Sequence, residues 1–247
     1  MSNSALVNYT AISPYKTSPR NHKIDTITIH CMAGDFSVET CGNIFQRKGR
    51  NASSNYGIGS DGRIGLYVDE KDRSWCSSNR ENDMRAITIE VANDGGSATG
   101  WHVTDKALES LINLLVDVCQ RNAINALIYS SNRTDRVKHL NGCNMTLHRD
   151  FAAKACPGDY LVSKHPWIAE QVNARLNGQP APTPSEFPYK VKITCDSLNV
   201  RKGAGVKYPV VMQVHEGQVY TIVAEDNGWG KLKSGAGWIC LKYTKKV

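Results

Sequence analysis

The sequence predicts an α/β domain, a mixed β-sheet with flanking helices, followed by a small all-β domain. Three features lead there. Residues 25–31 and 86–93 alternate between apolar and other side chains, as strands do, while apolar residues recur at helical spacing between 104 and 122. A proline-rich run, 177–188, reads as an extended, semi-rigid linker. Beyond it the pattern is of short alternating strands with no helical period. The expected domains are therefore 1–176 and 189–247, joined by the linker.

Taken in order, the first strand places Ile27, Ile29 and Cys31 on one face and Thr26, Thr28 and His30 on the other. One face should meet a core, and the histidine ends the strand on its polar side. Ser37 to Gln46 has the marks of a short helix: a serine N-cap, Glu39 in the first turn, and Arg47 and Lys48 before Gly49. Residues 53–62 run into an Asp61-Gly62 turn, and 63–69 continue as a strand. In the polar stretch 71–83, Trp75 either lines a groove, where its large face suits a sugar or peptide, or pins the loop to the core.

In the strand 86–93, Ile87, Ile89 and Val91 oppose Thr88, Glu90 and Ala92. A carboxylate amid so apolar a strand is costly to bury unless a cation or a metal-bound water meets it; the plain alternative is an edge strand with Glu90 in solvent. Thr104 caps the clearest helix, in which Ala107, Leu108, Leu111, Ile112, Leu115, Val118 and Cys119 should pack on the sheet. Residues 127–141 are polar and basic, and 168–176 close the domain as a helix. Strands are expected at 190–194, 210–214, 219–224, 228–233 and 237–241.

A chain of 247 residues can bury one full core and a small second one. Its net charge of +7 is uneven, since residues 187–247 carry ten Lys/Arg against four Asp/Glu, so this end should be drawn to polyanions. No apolar run reaches membrane-spanning length, and residues 1–20 lack the apolar core of a signal peptide, so synthesis in a cytoplasm without membrane insertion is expected. The eight cysteines are scattered singly and should mostly be reduced core residues.

The stretch from Met145 to Tyr160 concentrates the chemistry. His148, Lys154 and Cys156 lie within nine residues and are followed by a Pro157-Gly158 turn. Imidazole and thiolate are good zinc ligands, and a cation two residues before a cysteine favours its thiolate. One way to complete a site is local: His139, Cys143, His148 and Cys156 would make a closed, structural one.

The blocks Ile27-Thr-Ile-His-Cys-Met-Ala33, His148-Arg149-Asp150 and Lys154-Ala-Cys156-Pro-Gly158, in that chain order, resemble the zinc N-acetylmuramoyl-L-alanine amidases of the phage-lysozyme and peptidoglycan-recognition type. The resemblance spans roughly residues 20 to 170. It implies that His30, His148 and Cys156 hold Zn2+ with a fourth position open, that Glu90 is the acid/base, and that Lys154 stabilises the oxyanion. It also points to Asn55, Tyr56 and Trp75 as substrate-binding residues. Asn55 stands where many relatives have histidine, and Cys76 where many follow the tryptophan with one. Where relatives have a catalytic tyrosine this chain has Ser54, and Tyr56 at the neighbouring aromatic position has packing as its other reading.

Leu198 to Gly205, Gly228-Trp-Gly-Lys-Leu232 and Gly237-Trp-Ile239 resemble the bacterial SH3 domains attached to wall hydrolases. Trp229 and Trp238 are expected in that domain's core rather than stacked on a ligand. Together the resemblances imply hydrolysis of the amide between N-acetylmuramic acid and the L-alanine of the stem peptide. The implied partner is peptidoglycan, with wall polyanions met through the basic SH3-like end, and nucleic acid is not expected. The implied setting is a phage endolysin, made in the host cytoplasm and acting on a Gram-positive wall at lysis. The alternatives are a non-catalytic peptidoglycan-recognition protein and a cysteine-dependent wall endopeptidase.

Overall fold

The computed structural model describes residues 2–179, 188–226 and 228–247. The chain divides into two compact units, Met1–Pro182 and Thr183–Val247, and most of the expected linker, residues 180–187, lies outside the described residues.

In the first unit the order is β1 (Tyr9–Thr10), β2 (Lys16–Thr17), β3 (Thr26–Cys31), α1 (Val38–Gln46), β4 (Tyr56–Ile58), β5 (Ile64–Leu66), β6 (Arg73–Ser74), α2 (Arg80–Arg85), β7 (Ala86–Val91), α3 (Asp105–Arg121), α4 (Arg133–Lys138), β8 (Met145–Leu147) and α5 (Asp159–Leu176). Six strands form one mixed sheet in the order β1-β5-β4-β7-β3-β8, antiparallel only between β4 and β5. The caps read from the sequence are present: Ser37 accepts from the Thr40 N–H and Thr104 from the Ala107 N–H, both at 3.2 Å.

One face of this sheet carries the main core. Ile27 and Ile29 of β3, Ile87, Ile89 and Val91 of β7, Tyr56 and Ile58 of β4, and Met145 of β8 cluster with the apolar faces of α3 and α5. The opposite face is also buried, which differs from the expected polar side. Since β7 lies between β3 and β4, it is a central strand, and Glu90 is not on a sheet edge. Thr28, Thr88 and Thr146 are wholly buried and satisfy one another and their neighbours. Thr28 and Thr146 hydroxyls meet at 2.8 Å, Asn82 donates to Thr28 at 3.0 Å and accepts from Thr146 at 2.9 Å, and Ser74 meets Thr88 at 2.7 Å. Beside this belt, Met32, Cys41, Phe45 and Tyr67 form a smaller apolar cluster under α1.

The last helix begins at Asp159, well before the expected Ile168, and contains Pro166. Burial of Leu161 and His165 extends its core-facing side toward the N-terminus, and that tertiary gain outweighs the proline's missing N–H. All eight cysteines are free.

The second unit is a seven-stranded sheet of β9 (Tyr189–Ile193), β10 (Ser197–Arg201), β11 (Val210–His215), β12 (Val219–Asp226), β13 (Trp229–Leu232), β14 (Trp238–Cys240) and β15 (Thr244–Lys246), ordered β11-β10-β14-β13-β12-β9-β15. Strands β10 and β15 add to those expected. Its core is aliphatic, built on Val191, Ile193, Leu198, Val200, Val214, Ile222, Leu232 and Ile239. Contrary to expectation, Trp229 and Trp238 are half-buried and outside that core.

Candidate functional site

The site is assembled where three parallel strands end. His30, next to last in β3, stands in register with Glu90 on β7, so both side chains emerge on one face from adjacent strands. On the other side, β8 pairs with β3 through Ile27–Ile29 and hands the chain to a single 3-10 turn, His148–Asp150. Asp150 fixes that turn. Its carboxylate accepts the Leu147 N–H at 2.9 Å and a two-pronged Arg136 guanidinium at 2.6 and 2.9 Å, with both partners buried. The loop then folds back, Arg149 N–H donates to the Cys156 carbonyl at 3.2 Å, and the Cys31 N–H points at Cys156 Sγ at 3.4 Å.

His30, His148 and Cys156, far apart in the chain, thereby bring ligand atoms within 4.8 Å of one another. His30 Nδ1 lies 3.4 Å from Cys156 Sγ. A tetrahedral zinc bonded to both would set nitrogen and sulfur about 3.6 Å apart. His30 is wholly buried and its Nε2 has no hydrogen-bond partner. Burial, then the neighbouring His148, hold its pKa down at about 3, so the ring is neutral, the form that ligates. Burial also lowers His148, helped by the charge of Lys154.

Cys156 departs from the sequence expectation. A side-chain hydrogen bond with the Cys31 thiol, then burial, raise its thiol against the smaller opposite pull of the Cys31 N–H, and the exposed Lys154 exerts its field on His148 instead. A thiolate at Cys156 therefore needs a cation in direct contact, and the two imidazoles are placed to share one. The donor set fits a divalent ion of borderline softness. The closed alternative is not assembled: His139 Nδ1 lies 3.0 Å from the Cys143 carbonyl, Cys143 is buried with its thiol toward the Met145 carbonyl, and among the described residues neither joins a donor cluster.

Glu90, His148, Lys154 and Trp75 line one cleft of about 440 Å³. Burial, and secondarily Cys31, raise the Glu90 carboxyl to about 8, and its Oε2 has no partner. It is thus poised to exchange a proton near neutral pH. Trp75 is on the cleft wall, and its indole N–H donates to Thr17 of β2 at 3.0 Å, with no part in the apolar core clusters among the described residues. Asn55 and Tyr56 are corrections. Both are wholly buried and off the cleft, because their polar atoms serve the interior. Asn55 bridges to Val68 and Thr88, and Tyr56 donates to Glu70 at 2.6 Å while accepting the Ser4 N–H at 3.0 Å.

Sequence reasoning missed Arg50, Arg73 and Arg80, which join Lys154 on the cleft wall against the carboxylates of Asp83 and Glu90. It also missed Asp83, which accepts the Cys76 and Ser77 N–H groups at 3.0 and 3.1 Å and so shapes the loop after Trp75. Ser78 places its hydroxyl 3.2 Å from His148 Nε2. No periodic signal marks residues brought together from loops, the two-residue strand β6 and the short helix α2.

The family described as N-acetylmuramoyl-L-alanine amidase matches residues 20–159, more than half of the chain, and a bacterial SH3 domain matches 196–244. The solved structure of PlyL is similar at 13% identity and a TM-score of 0.50, with 72% of this chain and 99% of that one covered. The endolysin amidase LysCS from Clostridium intestinale URNW aligns at 20% identity and a TM-score of 0.45, covering 69% of this chain and 93% of that one. Curated protein sequences gave no match. With its matched residues carrying the whole of the site just described, the chain belongs to the N-acetylmuramoyl-L-alanine amidase family and bears a bacterial SH3 domain at its C-terminal end.

Proposed function

We propose that this amidase cuts the bond between N-acetylmuramic acid and L-alanine with Zn2+ held by His30, His148 and Cys156, and that it works as a phage endolysin on Gram-positive walls. The observation that carries the reading is the convergence of those three donors, with His30 in strand register with Glu90 and with Glu90 and His148 on the wall of one cleft. When bound, zinc supplies Lewis-acid polarisation of the carbonyl and acidifies water toward a pKa of about 7. Glu90 accepts the proton of the attacking water and returns it to the departing amine of L-alanine, the two halves of an acid/base cycle suited to a carboxyl raised toward neutrality. Lys154, on the same wall, neutralises the charge that develops on the carbonyl oxygen.

The cleft's surplus of cations over carboxylates suits a stem peptide, which carries carboxylates of its own. The basic second unit, ten Lys/Arg to four Asp/Glu over 187–247, suits wall polyanions. A wall-cutting unit and a bacterial SH3 unit on one chain support the endolysin role, in which the protein is made in the host cytoplasm and meets the wall once the membrane is breached. Among the described residues no helix is long and apolar enough to cross a membrane.

The decisive experiment digests purified peptidoglycan with the protein before and after chelation. We expect new L-alanine amino termini, their loss on demetallation, and their return with zinc. Full activity of the metal-free protein, or inhibition by thiol reagents with indifference to chelators, would overturn the zinc mechanism.

A further inference from the structure

A second donor set lies against the first. His30, Cys76 and Glu90 also bring ligand atoms within 4.8 Å of one another, with Cys76 Sγ 3.9 Å from Glu90 Oε1. Two buried atoms of this set lack any hydrogen-bond partner, His30 Nε2 and Glu90 Oε2. Unpartnered buried polar atoms are costly, and three donors converging on one point give that cost a remedy in a bound cation. The set is also built. Asp83 anchors the Cys76 backbone, and strand register fixes Glu90 opposite His30. Cys76 and Glu90 both line the cleft, which gives an ion a way in.

We propose that His30, Cys76 and Glu90 form a second divalent-cation site that shares its imidazole with the first. A nitrogen, a thiolate sulfur and a carboxylate oxygen select borderline-soft ions, Zn2+, Co2+ or Cd2+, over Mg2+ or Ca2+. On binding, a metal–sulfur bond forms and the protons of the Cys76 thiol and the Glu90 carboxyl leave to solvent, joined by the His30 N–H proton when the first site is also filled, since one imidazole serves two cations only as imidazolate; nothing is oxidised or reduced. Occupancy ties up Glu90, so an ion here switches off the acid/base and makes excess metal an inhibitor. The inference rests on the proposed zinc site only through the shared His30.

Co2+ titration followed by the thiolate-to-cobalt charge-transfer band tests it. In Cys156→Ser, which removes the first site's only sulfur, the band persists, and adding Cys76→Ser abolishes it. As a second arm on a chain with its first site intact, Cys76→Ser moves inhibition by excess zinc to about tenfold higher zinc or beyond. Absence of the band in a folded Cys156→Ser protein, or unchanged zinc inhibition in Cys76→Ser, overturns the second site and leaves the amidase mechanism standing. Chelator-resistant activity would overturn the mechanism and leave the cobalt result intact.

Discussion

Replacing Arg136 with methionine should loosen the site from behind. The guanidinium and the Asp150 carboxylate are only 6% and 1% exposed and are joined by two bonds. Removing one member of a buried pair strands the other charge, at about 3–5 kcal/mol. Little compensates here. Arg133 reaches the Asp150 main-chain carbonyl rather than the carboxylate, which keeps only the Leu147 N–H, and the Ser130 carbonyl loses its donor at 2.7 Å. Against a total stability of about 5–15 kcal/mol, that is a large share. Urea denaturation read by far-ultraviolet circular dichroism isolates the effect, because every α-helix belongs to the first unit among the described residues. Asp150 also ends the turn that presents His148, so metal affinity should fall about 10–100-fold in the surviving folded protein. A loss below about 1 kcal/mol with unaltered metal affinity would refute this account of the turn.

Glu90→Gln should lower kcat about 10²–10⁴-fold with metal content retained, read by peptidoglycan digestion alongside metal analysis. Lys154→Met should lower kcat about 10²–10³-fold and leave the ion bound; release of metal would instead place Lys154 in support of the ligands. His165 is buried, its Nδ1–H donates to the Leu161 carbonyl at 2.6 Å, and burial lowers its pKa to about 4. The unfolded chain, titrating near 6.5, binds more protons between those values, so stability falls as pH drops through that window, by about 2 kcal/mol between pH 7 and 5. His165→Gln should remove that part of the slope in paired urea titrations, and identical slopes would count against it.

Local chemistry made part of the site legible. His148 and Cys156 sit in one short stretch of donors, and the strand alternation put His30 and Glu90 on the same side of their strands. What alternation cannot show is what covers that side. Thr28 and Thr88 read as a polar face because their hydroxyl partners, Asn82, Thr146 and Ser74, come from elsewhere in the chain. The same blindness misplaced Asn55 and Tyr56, whose polar atoms are used internally, and overlooked the arginines that the tertiary fold brings to the cleft from a loop, β6 and α2. The early start of α5 was hidden because Pro166 masks a helical pattern that tertiary burial sustains. In the second unit, half-buried Trp229 and Trp238 show that an aliphatic core sufficed.

The register of His30 against Glu90 has a consequence for adaptation. With a neighbour hydrogen-bonded along each outer edge, neither strand can slide by a residue without turning its whole side-chain set inside out. The separation of ligand and proton carrier is therefore inherited from the spacing of the ladder. New wall chemotypes would have to be accommodated by remodelling residues 50–53 and the segment 73–80, most of which line the cleft without belonging to that ladder.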